Sequence, residues 1–334
     1  LCLSCKGCKT ECPSGVDIAK MKAEFLQHYY DANGTPFRAN VIANFTKSQR
    51  MASYFPGIYN FVINNKLTAS VVKSLLGFAQ KRSLPEVGRT TLRRWVKRRQ
   101  LNSAQTGIRP NRMVYLFCDE FTDYNDTGIG KVAYQLLTAL GYDVRLAAHL
   151  ESGRTYLSKG LVRKAKSIAN TNVRLLKDLI TDTVPLIGIE PSAILTFRDE
   201  YLDLVDRELL PEAEKLAKNA LLIDEFLVKE MEAGRVDRSR FDTAARRIKL
   251  HGHCYQKAFH LVGVTEKILG FPVGHEVETI PSGCCGMAGS FGYEKEHYEV
   301  SMKVGELVLL PAVRATPGEV VIAAPGTSCR PQIK

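Results

Sequence analysis

Hydrophobic residues follow two different patterns along the chain. Between residues 16 and 100 they recur at helical spacing, as in Leu67, Val71 and Leu75, and prolines divide the pattern. This spacing predicts a series of separate helices. From residue 111 onward, short apolar runs alternate with glycines and helical stretches, which predicts an α/β fold with mainly parallel strands. The predicted strands are Met113–Phe117, Asp143–Ala147, Val184–Ile189, Leu221–Ile223, Ile248–His251, Glu276–Ile280 and Val320–Ala323.

Two halves of this α/β region match each other. Three landmarks that follow predicted strands recur with shifts of 136, 133 and 136 residues. We interpret the near-constant shift as a duplicated domain. The first copy has lost most of its thiols, so we expect the chemistry in the second copy. The paired landmarks are Cys118 with Cys254, Ser152 with Cys285, and Ala193 with Cys329.

Composition and charge limit the class of protein. Hydrophobic residues make up 45% and charged residues 24% of the 334 residues, as in ordinary globular proteins. No apolar run approaches the roughly 18 residues of a spanning helix, and the early lysines are not typical of a signal peptide. Residues 81–99 contribute much of the net charge of +11, with eight basic residues against Glu86. Since no nucleic-acid-binding motif accompanies them, we interpret them as a solvated linker or a docking face for an acidic partner.

The cysteines carry the candidate chemistry. All but one of the nine fall into two groups, which indicates metal or redox chemistry in a reducing compartment. Cys2, Cys5, Cys8 and Cys12 have the spacing C-x2-C-x2-C-x3-C-P of a bacterial ferredoxin run that binds a 4Fe–4S cluster. A zinc knuckle is the less favoured alternative. Since the fourth cysteine of such a run binds a second cluster, we expect another run upstream and a longer polypeptide.

Four more cysteines follow predicted strands of the second copy. Because the loops after parallel strands meet at one edge of a sheet, we expect their thiols to converge on a second metal site. His251 and His253 lie beside it and are candidates for a ligand, a proton donor or a substrate contact. An iron–sulfur cluster, zinc and buried structural thiols are the alternatives for this site. The four cysteines are Cys254, Cys284, Cys285 and Cys329.

The second group of cysteines resembles a known domain. The segment CCGMAGSFG, which begins at Cys284, is similar to the CCG domain that occurs in heterodisulfide reductase, in the iron–sulfur subunit of glycolate oxidase and in anaerobic glycerol-3-phosphate dehydrogenase. Residues 2–13 resemble the ferredoxin domain that precedes the CCG domain in those proteins. The whole chain most resembles the iron–sulfur half of FAD-linked oxidase fusions of the D-lactate or D-2-hydroxyglutarate dehydrogenase type. It departs from the heterodisulfide reductase pattern at Gly326, where a partner cysteine of Cys329 would stand.

The resemblance implies a domain organisation. It implies a helical ferredoxin-like module at residues 1–80, shortened at its start, and a basic linker at 81–110. A degenerate CCG repeat would follow at 111–245, and a cysteine-retaining CCG repeat, shortened at its end, at 246–334.

The resemblance also implies a function. We expect an oxidoreductase component that passes electrons from FAD to a quinone or another acceptor, with no hydride chemistry of its own. The FAD would lie on an oxidase domain upstream in the same polypeptide or on a separate subunit. We expect no nucleic acid as a partner and a cytoplasmic location, with peripheral contact at the inner membrane left open. The alternatives are a heterodisulfide reductase-like catalyst at the CCG site and a non-redox zinc- or nucleic-acid-binding module.

Overall fold

A computed structural model of the protein describes residues 2–103 and 112–334. Leu1, the last residues of the predicted linker and the first of the predicted repeat lie outside the described residues. The chain divides into two compact units. We call Leu1–Lys22, Gly77–Arg82 and Ile223–Lys334 the cysteine unit, and Ala23–Leu76 and Ser83–Leu222 the middle unit. The domain boundaries implied at residues 80, 110 and 245 stay predictions.

Helices dominate the first hundred residues, as the hydrophobic spacing predicts. Two of the prolines begin helices, because the first turn of a helix does not need the N–H group that proline lacks. Pro36 is the N-cap of α3, and Pro56 is the first residue of α5. The helices are α1 (Gly7–Glu11), α2 (Ile18–Asn33), α3 (Phe37–Ala43), α4 (Phe45–Ala52), α5 (Pro56–Asn64), α6 (Lys66–Leu76) and α7 (Leu92–Ser103).

In the part of the chain that the structure describes, seven strands form two sheets, and every strand pair in these sheets is parallel. The middle unit contains the order β2-β1-β3-β4, and the cysteine unit contains β6-β5-β7. The predicted α/β fold with parallel sheets is therefore confirmed. The strands are β1 (Arg112–Leu116), β2 (Tyr142–Arg145), β3 (Leu186–Gly188), β4 (Ala220–Leu222), β5 (Arg246–Leu250), β6 (His275–Thr279) and β7 (Val321–Ala323).

Helices connect the strands and cover the sheets. The longest, α11, buries Ala169, Val173 and Leu176 along one face, as the helical repeat requires. Among the described residues, none of the helices has the length and hydropathy to cross a bilayer. The connecting helices are α8 (Glu120–Tyr124), α9 (Thr127–Ala139), α10 (Arg154–Ser158), α11 (Val162–Leu176), α12 (Pro191–Ile194), α13 (Glu200–Leu204), α14 (Leu210–Asn219), α15 (Ile223–Glu232), α16 (Cys254–Ala258), α17 (Val262–Leu269), α18 (Tyr298–Glu306), α19 (Leu309–Arg314) and α20 (Cys329–Ile333).

The order β2-β1-β3 in one sheet corresponds to β6-β5-β7 in the other, but one sequence-based pairing is wrong. Strands β1 and β5 begin 134 residues apart, and the N-caps of the helices that follow, Asp119 and His253, have the same separation. The counterpart of Cys254 is therefore Glu120. Matching by thiol identity selected Cys118, which lies two residues earlier in the loop after β1.

The basic segment contains more structure than a solvated linker. Arg82 is buried, and its guanidinium donates hydrogen bonds to the Gly292 carbonyl at 2.9 Å and to Ser301 Oγ at 3.0 Å. Further along, α7 buries Leu92 and Val96 in the middle unit. Charge density alone misled the sequence interpretation, because the apolar positions between the arginines are the ones that fix the helix.

Lys6 and Asp17 form a buried ion pair beside the amino-terminal cysteines. The Lys6 side chain is fully buried, its Nζ lies 2.8 Å from Asp17 Oδ2, and it also lies 5.7 Å from the centre of the Tyr255 ring. We expect Asp17→Asn to lower the free energy of unfolding by about 3 kcal/mol, because it leaves a buried ammonium without its counter-charge. Urea denaturation under anaerobic conditions measures this effect. The matched variant Asp31→Asn breaks an exposed pair with Arg163 and should change stability little, so equal losses would contradict the argument.

Candidate metal centres

The amino-terminal cysteines lie in and beside the short helix α1, and backbone amides donate to two of their sulfur atoms. The amide of Ser4 donates to Cys2 Sγ at 3.4 Å, and the amide of Ile18 donates to Cys8 Sγ at 3.4 Å. Ser4 and Lys6 have φ angles of 53° and 62°, in the left-handed region that non-glycine residues rarely adopt. Amide donors directed at sulfur stabilise thiolates, so this loop has the character of a ligand loop.

Two cysteines of this run have different surroundings. Burial is the main cause that raises the pKa of the Cys5 thiol, and the neighbouring thiols of Cys254 and Cys2 raise it further. The backbone amides of Val16 and Ser14 are the main causes that lower the pKa of Cys12. Within the cysteine unit, the amino-terminal run thus reaches the neighbourhood of the second group of thiols through Cys5.

The four later cysteines follow three strands of one parallel sheet, at its carboxyl edge. Cys254 begins α16 after β5, Cys284 and Cys285 lie in the loop after β6, and Cys329 begins α20 after β7. Cys285 and Cys329 are buried in an apolar cluster that also contains Met287. The apolar cluster fixes two of the four thiols rigidly, whereas Cys254 and Cys284 are only half-buried.

The later thiols act on one another's pKa values. The neighbouring thiol of Cys284 and burial raise the pKa of Cys254 well above its ordinary value. The thiol of Cys254 lowers the pKa of Cys284, but the thiol of Cys285 and burial outweigh this effect and raise it to about 12. Without a metal, Cys254, Cys284 and Cys285 are therefore protonated at neutral pH. Metal binding there must therefore release protons.

His251 completes this group with a second type of ligand atom. Its Nδ1 lies 2.7 Å from Ser282 Oγ, and its buried Nε2 has no hydrogen-bond partner among the described residues. His251, Cys285 and Cys329 each bring a ligand atom within 4.8 Å of the other two. Burial, aided by the charge of Lys257, lowers the pKa of His251 to about 3, so the ring is neutral as metal ligation requires. An orphaned buried nitrogen beside two thiols fits a metal centre.

His253 has a structural position. It is the N-cap of α16, where its Nδ1 accepts a hydrogen bond from the Tyr255 amide at 3.2 Å and Gln256 completes a capping box. Its ring also explains Gly326: a Cβ there would lie 2.2 Å from His253 Cδ2. The space that an additional cysteine would need is therefore filled.

Sequence reasoning missed Lys257. Its Nζ donates to the carbonyls of Ser282 and Gly283, the residues immediately before the cysteine pair. The four thiols of the second group raise the pKa of Lys257 against the larger lowering effect of burial, so they lie within its electrostatic reach. Lys257 thus both fixes the ligand loop and places a positive charge beside the thiols. In the sequence, the only indication of this role is that Lys257 follows Cys254 by three residues on the short helix α16.

The middle unit has a cavity of about 400 Å³ at the matching edge of its own sheet. Cys118, Glu120, His149 and Glu151 line it, and Glu120 is the counterpart of Cys254. His149 Nε2 lies 3.2 Å from the Cys118 amide and 2.7 Å from an Arg93 nitrogen, and burial lowers the pKa of the ring to about 3. The only thiol of this unit is buried, and burial raises its pKa well above the ordinary value, so Cys118 is not a reactive group.

Glu151 makes stability depend on pH. Burial raises its folded-state pKa to about 7, against about 4.3 for an unperturbed glutamate. The folded state therefore binds this proton more tightly, and stability should fall as pH rises from 5 to 8. We expect Glu151→Gln to remove about 2 kcal/mol of that decline, measured by urea unfolding at both pH values. The exposed Glu208→Gln should leave the decline unchanged; a Glu151→Gln profile parallel to the wild type would contradict the assignment.

The thiols suit metal or redox chemistry. One group has ferredoxin spacing, and members of the other lie beside a neutral histidine on a parallel α/β scaffold. Neither group has the geometry of a disulfide scaffold, since all nine cysteines are free.

The chain has relatives among the dehydrogenases. The D-2-hydroxyglutarate dehydrogenase of Escherichia coli is 27% identical over 343 aligned positions, which cover all of this chain and 32% of that protein. The D-2-hydroxyglutarate dehydrogenase of Pseudomonas putida is 26% identical, with the same coverage. One subunit of the anaerobic glycerol-3-phosphate dehydrogenase of Escherichia coli is 25% identical over 88% of this chain and 72% of its own length. No protein-family model matches the chain, and no solved structure matches it significantly.

These relatives confirm the resemblance that the cysteine motifs predict. The relatives are dehydrogenases by name, which agrees with the predicted class of oxidoreductase component. The chain spans about a third of the length of the D-2-hydroxyglutarate dehydrogenases that it matches.

Proposed function

We propose that this chain is the iron–sulfur electron-transfer part of a flavin-dependent D-2-hydroxy-acid dehydrogenase. In this role it passes electrons from FAD to a quinone or another acceptor. The observation that carries the proposal is the proximity of two thiol groups in one compact unit, with Cys5 of the first within electrostatic reach of Cys254 of the second. The names of the relatives support a role in a dehydrogenase.

The amino-terminal run would hold the first centre. Cys2, Cys5 and Cys8 would be its ligands from this run, and Cys12 would serve the cluster of a second run. The backbone amides of Val16 and Ser14, which lower the pKa of Cys12, support a separate role for it. A bound iron–sulfur cluster accepts and releases single electrons. The amides that face Cys2 and Cys8 stabilise negative charge on sulfur, and such hydrogen bonds tune the reduction potential.

The second centre would use the thiols of Cys254, Cys284, Cys285 and Cys329. His251 offers its unpartnered Nε2 as a further ligand, and the Ser282 hydroxyl orients its ring. Lys257 offsets the negative charge that deprotonated thiols bring into a half-buried site. This donor set favours an iron–sulfur cluster or zinc, and the presence of a histidine makes structural zinc the second candidate for this centre.

An apolar surface supports a large partner such as a flavin domain. Helices α5 and α6 pack together, yet they leave Ile58, Phe61, Leu67, Val71 and Leu75 at least 60% exposed. The regularly spaced residues Leu67, Val71 and Leu75 of α6 are therefore exposed, whereas the small Ala69 is buried. Large exposed apolar groups of this kind mark interaction surfaces.

Metal analysis and a visible absorption spectrum test the proposal. After anaerobic purification, we expect iron and acid-labile sulfide in the chain and absorption that dithionite bleaches. Stoichiometric zinc without iron or sulfide would contradict the electron-transfer role and favour a structural zinc module. Zinc at about one atom per chain together with bleachable iron–sulfur absorption would assign zinc to the second centre only.

A further inference from the structure

The cavity of the middle unit is the carboxyl-edge site of the first repeat after the loss of its thiols. Glu120 replaces Cys254 and Ser152 replaces Cys285, and these two residues bind each other: Glu120 accepts from the Ser152 amide at 2.9 Å and from its hydroxyl at 2.6 Å. The hydrogen-bonded pair of Glu120 and Ser152 thus stands at the position where the other repeat has the thiols of Cys254 and Cys285. Open α/β sheets bind ligands at this edge, and the space left here is of the size of a small-molecule site.

We propose that this cavity binds a small organic anion by contacts with the carboxylate groups of the anion. The cavity is lined by cationic side chains from three helices: Lys47 and Arg50 on α4, Arg93 on α7 and Lys164 on α11. Lys47, Arg50 and Lys164 are exposed, so they are accessible to an anion from solvent. Leu150, Ile168 and Tyr156 supply apolar contacts for a short carbon skeleton.

Most of the carboxylates that line the cavity already accept hydrogen bonds from neighbouring protein groups. Asp119 accepts from the Phe121 and Thr122 amides at 2.9 Å each and from Thr122 Oγ1 at 2.6 Å, as the N-cap of α8. Asp123 accepts from the Arg93 amide at 3.0 Å and pairs with its guanidinium at 3.6 Å. These carboxylates serve the fold, so they are not arranged around a cation.

Glu151 is the acid that faces the cationic rim. Its carboxylate accepts from Thr46, and Lys47 and Arg50 act on it electrostatically. Burial raises its pKa to about 7, so near neutral pH a protonated Glu151 can donate a hydrogen bond to the bound anion. The local balance of charge then favours an anion over a cation.

Binding of glutarate to the full chain tests the inference, with neutral glutaramide and inorganic phosphate as comparison probes. Isothermal titration calorimetry should detect saturable binding of glutarate and none of glutaramide. The double variant Lys47→Met/Arg50→Met should weaken glutarate binding at least about tenfold, because it removes two charge-assisted contacts. Lys218→Met, an exposed site on α14 in the same unit, changes one charge away from the cavity and should leave the affinity within about twofold.

Three outcomes would overturn the inference. They are the absence of glutarate binding, equal weakening by Lys218→Met, and phosphate binding as tight as glutarate, since the last would indicate a surface phosphate site without organic specificity. Circular dichroism of the double variant should match the wild type, and if it does not, Lys164→Met supplies the same test from α11. The assay does not depend on bound iron or zinc, so its failure and that of the proposed function are distinguishable.

Discussion

Cys5→Ser should remove about four iron atoms and as many acid-labile sulfides per chain, the content of one 4Fe–4S cluster. The thiol of Cys254 is one of the causes that raise the pKa of Cys5, so Cys5 lies within electrostatic reach of the second group of thiols. A serine hydroxyl does not replace a cysteine thiolate as a cluster ligand, whereas its size keeps the loop geometry. Iron and sulfide assays on anaerobically purified protein measure the loss.

Cys118→Ser is the matched control for this prediction. Cys118 is buried in the middle unit and belongs to neither thiol group, so its variant should retain the full iron and sulfide content. If Cys5→Ser kept its iron, or if both variants lost the same amount, the amino-terminal run would not be the cluster site.

Gly286→Ala should destabilise the cysteine unit by about 3 kcal/mol or more, or prevent its folding. Gly286 follows the cysteine pair with a φ of 89°, and a Cβ there would lie 2.1 Å from the Ser301 carbonyl oxygen. Arg82 donates hydrogen bonds both to Gly292, in the loop that contains Gly286, and to Ser301 on α18. Neither the loop nor α18 can therefore move freely. Urea denaturation gives the stability, and metal content shows whether the second centre survives.

Gly289→Ala separates steric overlap from backbone strain. Gly289 also has a positive φ, of 62°, but nothing lies within 4 Å of its Cβ position. The cost there should be about 1 kcal/mol, the ordinary penalty of a left-handed alanine. Equal effects of the two substitutions would show that the close approach of the loop to Ser301 does not hold the site together.

The sequence predicts the fold well where a pattern repeats. The short runs between glycines and helical stretches predict the seven strands of the described residues to within a few residues. The signal is clearest for β3 and β4, which are buried throughout and read as continuous apolar segments. The convergence of Cys254, Cys284 and Cys329 follows from their positions after parallel strands. The positions of these side chains follow from the parallel strands that precede them, and a single sequence is enough to predict those strands.

Contacts between distant segments are not predictable in this way. In the sequence, Arg82 is one more charge in a basic segment, yet it is buried and donates a hydrogen bond to the carbonyl of Gly292, more than two hundred residues later. His251 and His253 are equivalent as letters, but one has an unpartnered buried nitrogen and the other caps a helix. The counterpart of Cys254 is a glutamate, which no search for thiols could find. Each of these depends on packing rather than on local spacing.

Electron paramagnetic resonance of the dithionite-reduced chain tests the central claim most directly. We expect the signal of a reduced iron–sulfur cluster in the wild type and in Cys118→Ser, and we expect Cys5→Ser to lose the part of that signal that comes from the amino-terminal run. A wild-type chain with full metal occupancy that shows no such signal at any potential would contradict the electron-transfer function.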